Sequence, residues 1–363
     1  MRLRLFFVLI LVTLGAFSQE RETNDYLAID YHYGSILKHN KTVTDLIHAH
    51  PAGLMLSYNV RTTGAKRWEQ EYNYPDWGVS MLYQDFNYGV LGKNYSVGFH
   101  YNFYFLNRNL QLRIGEGINY NTMPFDIETN FKNVAYGSHL TGFTQIGLQY
   151  VKPKLVGNLG LRAGVLLLHH SNGGVKSPNT GTNVFSTSVG LTYDFSDQPV
   201  EIKERVEYEK YTEPLRFNLV VRGGINESDY IGLGQHPFFV LSTFVDKRLS
   251  YKHSIQLGVD VIASEFLKRH IEYTALAFPD RDIDPDVDYK RVGVFLGHEF
   301  RMNKIGIPTQ LAYYVYNPSG YENVPYVRAG VKYYMSEKWF AVGTVRAHGF
   351  NAETIELGLG IRL

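Results

Sequence analysis

Cysteine is absent from all 363 residues. That excludes disulfides and thiolate metal sites, the usual reinforcements of an exported protein. Tryptophan is scarce, with three residues. A membrane-spanning helix needs about 20 apolar residues. The one extended apolar run, Leu5 to about Leu14, is too short, and no other segment competes with it. A dominant charge is missing too. The formal net charge is +1, from 36 basic and 35 acidic residues. No basic surface of the kind that binds nucleic acid is implied, so nucleic acid is excluded as a partner.

The short apolar run has a different meaning. It follows Met1-Arg2-Leu3-Arg4 and precedes Gly15-Ala16-Phe17-Ser18, the layout of a secretory signal peptide cut after Ser18 or, alternatively, after Ala16. Without Arg2 and Arg4 the chain carries 34 basic against 35 acidic residues. What is plentiful is tyrosine (28), phenylalanine (22) and glycine (34). Aromatic girdles and close strand approach make that composition suit an outer-membrane barrel, although a large soluble β-protein shares it.

Patterning decides between them. Helical periodicity is rare and alternation is everywhere. Ile355, Leu357, Leu359, Ile361 and Leu363 share one face of the last segment, and Thr354, Glu356, Gly358, Gly360 and Arg362 share the other. Residues 253–263 alternate likewise, as do 110–120, where Leu110, Leu112, Ile114 and Ile118 oppose Gln111, Arg113, Gly115, Gly117 and Asn119. Apolar-out and polar-in is the signature of a transmembrane strand. Eight strands are predicted to start near residues 26, 50, 76, 93, 110, 140, 156 and 181, and eight more near 214, 236, 252, 289, 305, 325, 338 and 352. Tight turns follow strands 4, 10, 12 and 14, while long loops follow strands 5 and 11. That asymmetry is porin-like. The connection around Lys66 to Tyr74 is longer than the rule prefers.

The predicted fold class is therefore all-β, an antiparallel up-and-down outer-membrane β-barrel. Two architectures fit: one barrel of about sixteen strands, or an eight-stranded barrel plus a second β-unit. The expected division is a signal peptide (1–18), a first barrel half (19–196), a charged linker (197–213) and a second half of unknown role (214–363). Tyr316-Asn317-Pro318-Ser319-Gly320 in the second half faintly echoes the first. A homodimer is compatible with such a chain.

Chemistry concentrates in Leu166-Leu167-Leu168-His169-His170-Ser171-Asn172-Gly173-Gly174. On a strand, His169 and Ser171 point the same way, in line with Leu167, Val165, Ala163 and Leu161. His170 points to the other face, as a hydrogen-bonding group of the lumen. In a hairpin turning near residue 176, Asn183 falls opposite His169. A hydroxyl, an imidazole and an amide then lie together: nucleophile, base and orienting group. Backbone N–H groups of Asn172, Gly173 and Gly174, with the Asn172 and Asn179 side chains, are candidate oxyanion donors. On a barrel this stripe faces lipid, so the site would act on a lipid.

At these residues the chain resembles the PagL-type lipid A 3-O-deacylases, through His-x-Ser-Asn-Gly followed by Pro-Asn-x-Gly, over about residues 26–196. The resemblance implies an eight-stranded outer-membrane esterase with its site on the lipid-facing surface. It implies His169 as base, Ser171 as nucleophile, and Asn172 and Asn179 as oxyanion helpers. Lipid A, or lipopolysaccharide in the outer leaflet, is the implied substrate. The family's triad ends in an acidic residue twelve positions after the serine, and here that position is Asn183. An amide orients an imidazole without supplying charge, and Asp126 or Glu128 is the candidate loop carboxylate. The competing reading is a non-catalytic, porin-like or structural barrel; a general phospholipase would use the same residues.

Other clusters carry less. Asp280, Asp282, Asp284, Asp286 and Asp288 alternate in a loop, but the glycine and terminal Glu of an EF-hand are missing. His48 and His50 flank Ala49 and would need further ligands to hold zinc. No Gly-x-Ser-x-Gly, His-Glu-x-x-His or phosphate-cradling loop is present, so no cofactor and no metal is expected.

Overall fold

A computed structural model describes residues 23–363 except Asn40, Pro199, Asn323 and Phe350. The expected signal peptide lies outside the described residues. Alternating segments become β1 (Asp25–Ile36), β2 (Ala52–Val60), β3 (Asp76–Asp85), β4 (Lys93–Phe105), β5 (Leu110–Asn121), β6 (Leu140–Val156), β7 (Leu159–Ser171) and β8 (Thr182–Asp194). They close into one barrel, β1 pairing with β8 through Tyr26↔Asp194. A second set follows: β9 (Arg216–Glu227), β10 (Gln235–Arg248), β11 (His253–Ser264), β12 (Arg291–Met302), β13 (Ile305–Tyr316), β14 (Tyr326–Tyr334), β15 (Trp339–His348) and β16 (Asn351–Arg362). These close separately, with β16 on β9 through Leu357↔Gly223. Predicted and observed strand starts agree to three residues or better. Of the two architectures the sequence allows, the chain adopts two eight-stranded barrels. Each closure removes both sheet edges.

Alternation sets the two faces of each wall. On β8, Phe185, Val189, Leu191 and Tyr193 are exposed outward while Val184, Ser186 and Ser188 are buried. The first lumen is filled in two zones. Toward the loop end, Met55, Leu82, Phe86, Phe143, Leu166 and Leu168 pack with Val43, Leu46 and Tyr136 from the loops. Full burial of such a side chain contributes about 1.5–3 kcal/mol. Toward the turn end lies a polar network in which Arg162 pairs with Asp30, and Asp76 accepts from Arg108 Nη2 at 2.8 Å and Tyr104 Oη at 2.5 Å.

The second lumen relies more on ion pairs. Arg328 bridges Asp260 at 2.7 Å and Glu356 at 2.6 Å. Glu353 receives Arg291 at 2.6 Å and Arg346 at 2.7 Å. Phe238, Phe295 and Phe340 fill the space around them. Removing one member of such a buried pair costs about 3–5 kcal/mol because its partner is left uncompensated.

The two barrels touch at both ends. The long connection after β2 forms α1 (Arg67–Glu71), whose Trp68 and neighbouring Tyr72 pack with Phe300 and Met302 of the second barrel. Tyr72 Oη donates to the Arg301 carbonyl. This docking accounts for a connection that is too long for a simple turn. Residues 200–213 of the charged linker run without regular structure, pinned by Val206 N–H on Gln70 Oε1 at 2.8 Å and Arg67 Nη2 on the Glu209 carbonyl at 3.1 Å. At the opposite end, the loop after β11 carries α2 (Glu265–Ala277), which buries Phe266, Leu267 and Ile271.

Glu213, where the linker enters β9, has a pH consequence. Burial alone would raise its carboxyl, but hydrogen bonds from Arg248 and Arg362 outweigh burial and hold it down at about 2, against an ordinary 4.5. A carboxylate depressed on folding stabilises above its unfolded value and loses that contribution as pH falls through the folded one. The stability gap between wild type and Glu213→Gln, read from urea or heat unfolding, should be present at pH 6–7. It should shrink below about pH 4.5 and vanish near pH 2. A gap that persists unchanged at pH 2 contradicts the assignment.

Candidate active site

On β7 the inward residues Arg162, Leu166, Leu168 and His170 are buried. His170 Nε2 sits 3.2 Å from Ser96 Oγ, with its ring stacked on Phe143. Period-two geometry therefore turns His169 and Ser171 outward, above Leu161 and Leu167. The β7–β8 register puts His169 directly opposite Asn183. The loop between these strands is held by the long β5–β6 loop, through Thr180 N–H to Val134 O and Gly181 N–H to Ala135 O, both 3.0 Å. Asn172 braces it from within, its Nδ2 donating to Lys176 O at 2.7 Å and Ser138 Oγ at 3.2 Å.

The polar atoms then meet in a specific order. His169 Nδ1 lies 2.7 Å from Asn183 Oδ1. An amide oxygen only accepts, so this bond assigns the hydrogen to Nδ1 and leaves the Nε2 lone pair free. Ser171 Oγ accepts from Gly173 N–H at 3.0 Å and from Asn179 Nδ2 at 2.9 Å. Asn179 Oδ1 accepts from Asn172 N–H at 2.9 Å, which fixes the amide's orientation. The Ser171 hydrogen faces the same Oδ1 at 3.3 Å, a long contact. In this resting arrangement the hydroxyl is paired with Asn179 rather than with the imidazole. No hydrogen bond joins Ser171 Oγ to His169 here, so engaging the base requires the two side chains to close on each other, as catalytic hydrogen bonds do when substrate binds. The chemistry available is acyl transfer: a hydroxyl, a neutral base in a fixed tautomer, and two N–H donors beside the reacting oxygen.

Not every expected residue faces this centre. Asn172 uses its side chain to build the loop, and Gly174 N–H is spent on Asn172 Oδ1 at 3.1 Å. The donors that remain are Gly173 N–H and Asn179 Nδ2. Asp126, one of the two candidate loop carboxylates, is committed to its own turn. It accepts from Glu128 N–H, Thr129 N–H and Thr129 Oγ1, and these bonds hold its carboxyl below the ordinary carboxylate value. Asp284 and Asp288 accept from Asp286 N–H and Lys290 N–H in the same manner. His48 and His50 bind separate partners, Asp45 O and Ser35 Oγ. Among the described residues no three potential metal ligands converge.

Two neighbours escaped sequence reasoning. His39, from the β1–β2 loop, places Nε2 at 2.9 Å from Thr180 O and so braces the loop beside the site. Glu116 stands on the outer wall, accepting from Thr144 Oγ1 at 2.9 Å. Register aligns Glu116, Thr144, His169 and Asn183 in one row across four strands. The signal was present: strict alternation puts Glu116 between Ile114 and Ile118, on the apolar face. His39 has no sequence signal, because a loop 141 positions away brings it there.

Residues 52–192 match the family model described as lipid A 3-O-deacylase (PagL), and residues 215–363 match the one described as acyloxyacyl hydrolase, C-terminal domain. Among solved structures, the chain is similar to the crystal structure of the outer membrane enzyme PagL, at 19% identity over 45% of this chain and 97% of that one, with a TM-score of 0.29. A mutant of Rh. blastica porin matches at 8% identity over 93% and 99% of the two chains, with a TM-score of 0.22. No curated protein matches the chain.

The His169–Asn183 bond can be tested chemically. Asn183→Leu removes the acceptor while keeping the volume, and should slow acylation of Ser171 by an activated ester about tenfold or more. Asn183→Asp keeps an acceptor and adds charge for the imidazolium, and should match or exceed wild type. Equal rates for Leu and Asn at position 183 contradict an orienting role.

Proposed function

We propose, on the premise that the first barrel belongs to the PagL-type lipid A 3-O-deacylase family, that this protein is an outer-membrane serine esterase that removes an ester-linked acyl chain from lipid A. Export behind a leader of residues 1–18 delivers it. The working units are 19–196 and 214–363, joined by 197–213. In this reading the loop ends of β7 and β8 lie at the outer-leaflet boundary. Lipid A then reaches Ser171 by lateral diffusion and never enters a lumen.

Ser171 Oγ attacks the ester carbonyl as His169 Nε2 takes its proton. Asn183 Oδ1 holds the ring and its tautomer through Nδ1–H. Gly173 N–H and Asn179 Nδ2, which rest on Ser171 Oγ, turn to the developing oxyanion in this reading, and removing one such donor typically costs about 10²–10³ in kcat. The protonated His169 gives its proton to the departing sugar hydroxyl. Water then attacks the acyl-enzyme with His169 as base, releasing the fatty acid and restoring Ser171. Asn183 offers no negative charge to the imidazolium, so turnover should be slower than with a carboxylate there.

The observation that carries this reading is the 2.7 Å His169–Asn183 bond on the outer wall, with the Ser171 hydroxyl two residues along the same face. Wild type, His169→Ala and Ser171→Ala expressed in a Gram-negative host should differ in lipid A mass spectra. Loss of one acyl chain with wild type alone is expected. Identical spectra for all three contradict the esterase reading.

A further inference from the structure

The loop that presents both oxyanion donors is gripped by the second barrel. Glu227, the last residue of β9, acts on it twice. Its backbone N–H donates to Gly174 O at 3.1 Å, and its Oε2 accepts from Ser177 N–H at 2.9 Å. The following residue adds a third tie, Ser177 Oγ donating to Ser228 O at 2.8 Å, and Gln235 Nε2 donates to Val175 O at 2.7 Å. Strand β16 closes in from the side. A Cβ on Gly173 would lie 2.4 Å from Ile355 Cγ1, and one on Gly174 would lie 2.4 Å from Glu353 O. Both glycines also have positive φ, +62° and +83°. Positive φ already calls for glycine at both positions, and the second barrel adds a further reason, since a side chain at either would run into it.

These contacts lie one or two residues from the groups that donate to Ser171 Oγ. Gly173 N–H, the first donor to Ser171 Oγ, precedes the Gly174 carbonyl that Glu227 holds. Asn179 Nδ2, the second donor, comes two residues after the Ser177 N–H that the Glu227 carboxylate holds. One side chain and its own backbone therefore anchor both segments that deliver the donors. Asn179 and Glu227 also line a shared cleft between the barrels, with Tyr321 and Glu353 on its far side. The cleft leaves about 50 Å³ for water-sized molecules, enough for bound water and too little for an acyl chain.

We infer that the second barrel completes the active site of the first, with Glu227 as the positioning residue that fixes Gly173 N–H and Asn179 Nδ2 on the oxyanion. The inference rests on the esterase reading above. It assigns the second barrel a catalytic purpose without giving it a catalytic residue. Misplacing oriented groups by about 1 Å costs up to 10²-fold in rate, so loosening this grip acts on kcat.

The test uses the full-length protein in bilayers, with purified lipid A as substrate. Glu227→Ala should lower kcat about tenfold or more, with KM changed less than about twofold. Glu227→Gln keeps an acceptor for Ser177 N–H and should restore most of kcat. Amide exchange over residues 173–179 should quicken in Glu227→Ala and stay near wild type in Glu227→Gln. A Glu227→Ala enzyme with wild-type kcat, beside an inactive Ser171→Ala control, overturns the inference and leaves the esterase reading standing. Wild type no more active than Ser171→Ala overturns the esterase reading and this inference with it. Equal loss in Ala and Gln, with unaltered exchange, also overturns it, because the hydrogen bond would then not be the cause.

Discussion

The pairing register of β7 on β8 is the constraint on which the rest depends. Side chains alternate with a period of two, so a one-residue slip would swing His169 and Ser171 into the lumen and bring His170 out. What prevents the slip lies on the opposite face of the same strand. Arg162 is paired with Asp30 inside the barrel, and Leu166 and Leu168 are locked into the apolar cap. Moving Arg162 to the lipid side would break its buried pair with Asp30, at a cost of about 3–5 kcal/mol. The outer site is thus held in place by groups that never approach it.

The two barrels solve the filling of a narrow lumen differently. The first divides its interior into an apolar cap and a polar base. The cap is tied to function, because Tyr136 and Ala135 belong to the loop that carries Thr180 and Gly181 into position. The second fills its interior with crossed arginine–carboxylate pairs around a few phenylalanines. Such pairs contribute little net stability against apolar replacements, yet each is costly to break singly.

The strand number, the strand starts and the outward stripe were all legible from alternation, because that signal depends on each residue's own polarity. The His169–Asn183 pairing was legible because hairpin geometry relates nearby positions. Separate closure into two barrels was not: β1 meets β8 and β16 meets β9 through contacts far apart in sequence, and nothing local distinguishes eight strands from sixteen. The same reason hid His39, and it hid the grip of Glu227 on Gly174 and Ser177. The roles of Asn172 and Gly174 differ from expectation for another reason. A motif names residues that cluster, but which N–H is free depends on which carbonyls and amides the loop has already used.

The central claim is that a reactive serine stands on the outside of the first barrel, activated by the imidazole beside it. Covalent labelling with a long-chain alkyl fluorophosphonate, read by peptide mass spectrometry of protein in bilayers, tests it most directly. The expected result is one adduct, on Ser171, that disappears in His169→Ala while the barrel stays folded. An unmodified Ser171 in folded wild type, or labelling that survives the loss of His169 unchanged, contradicts it.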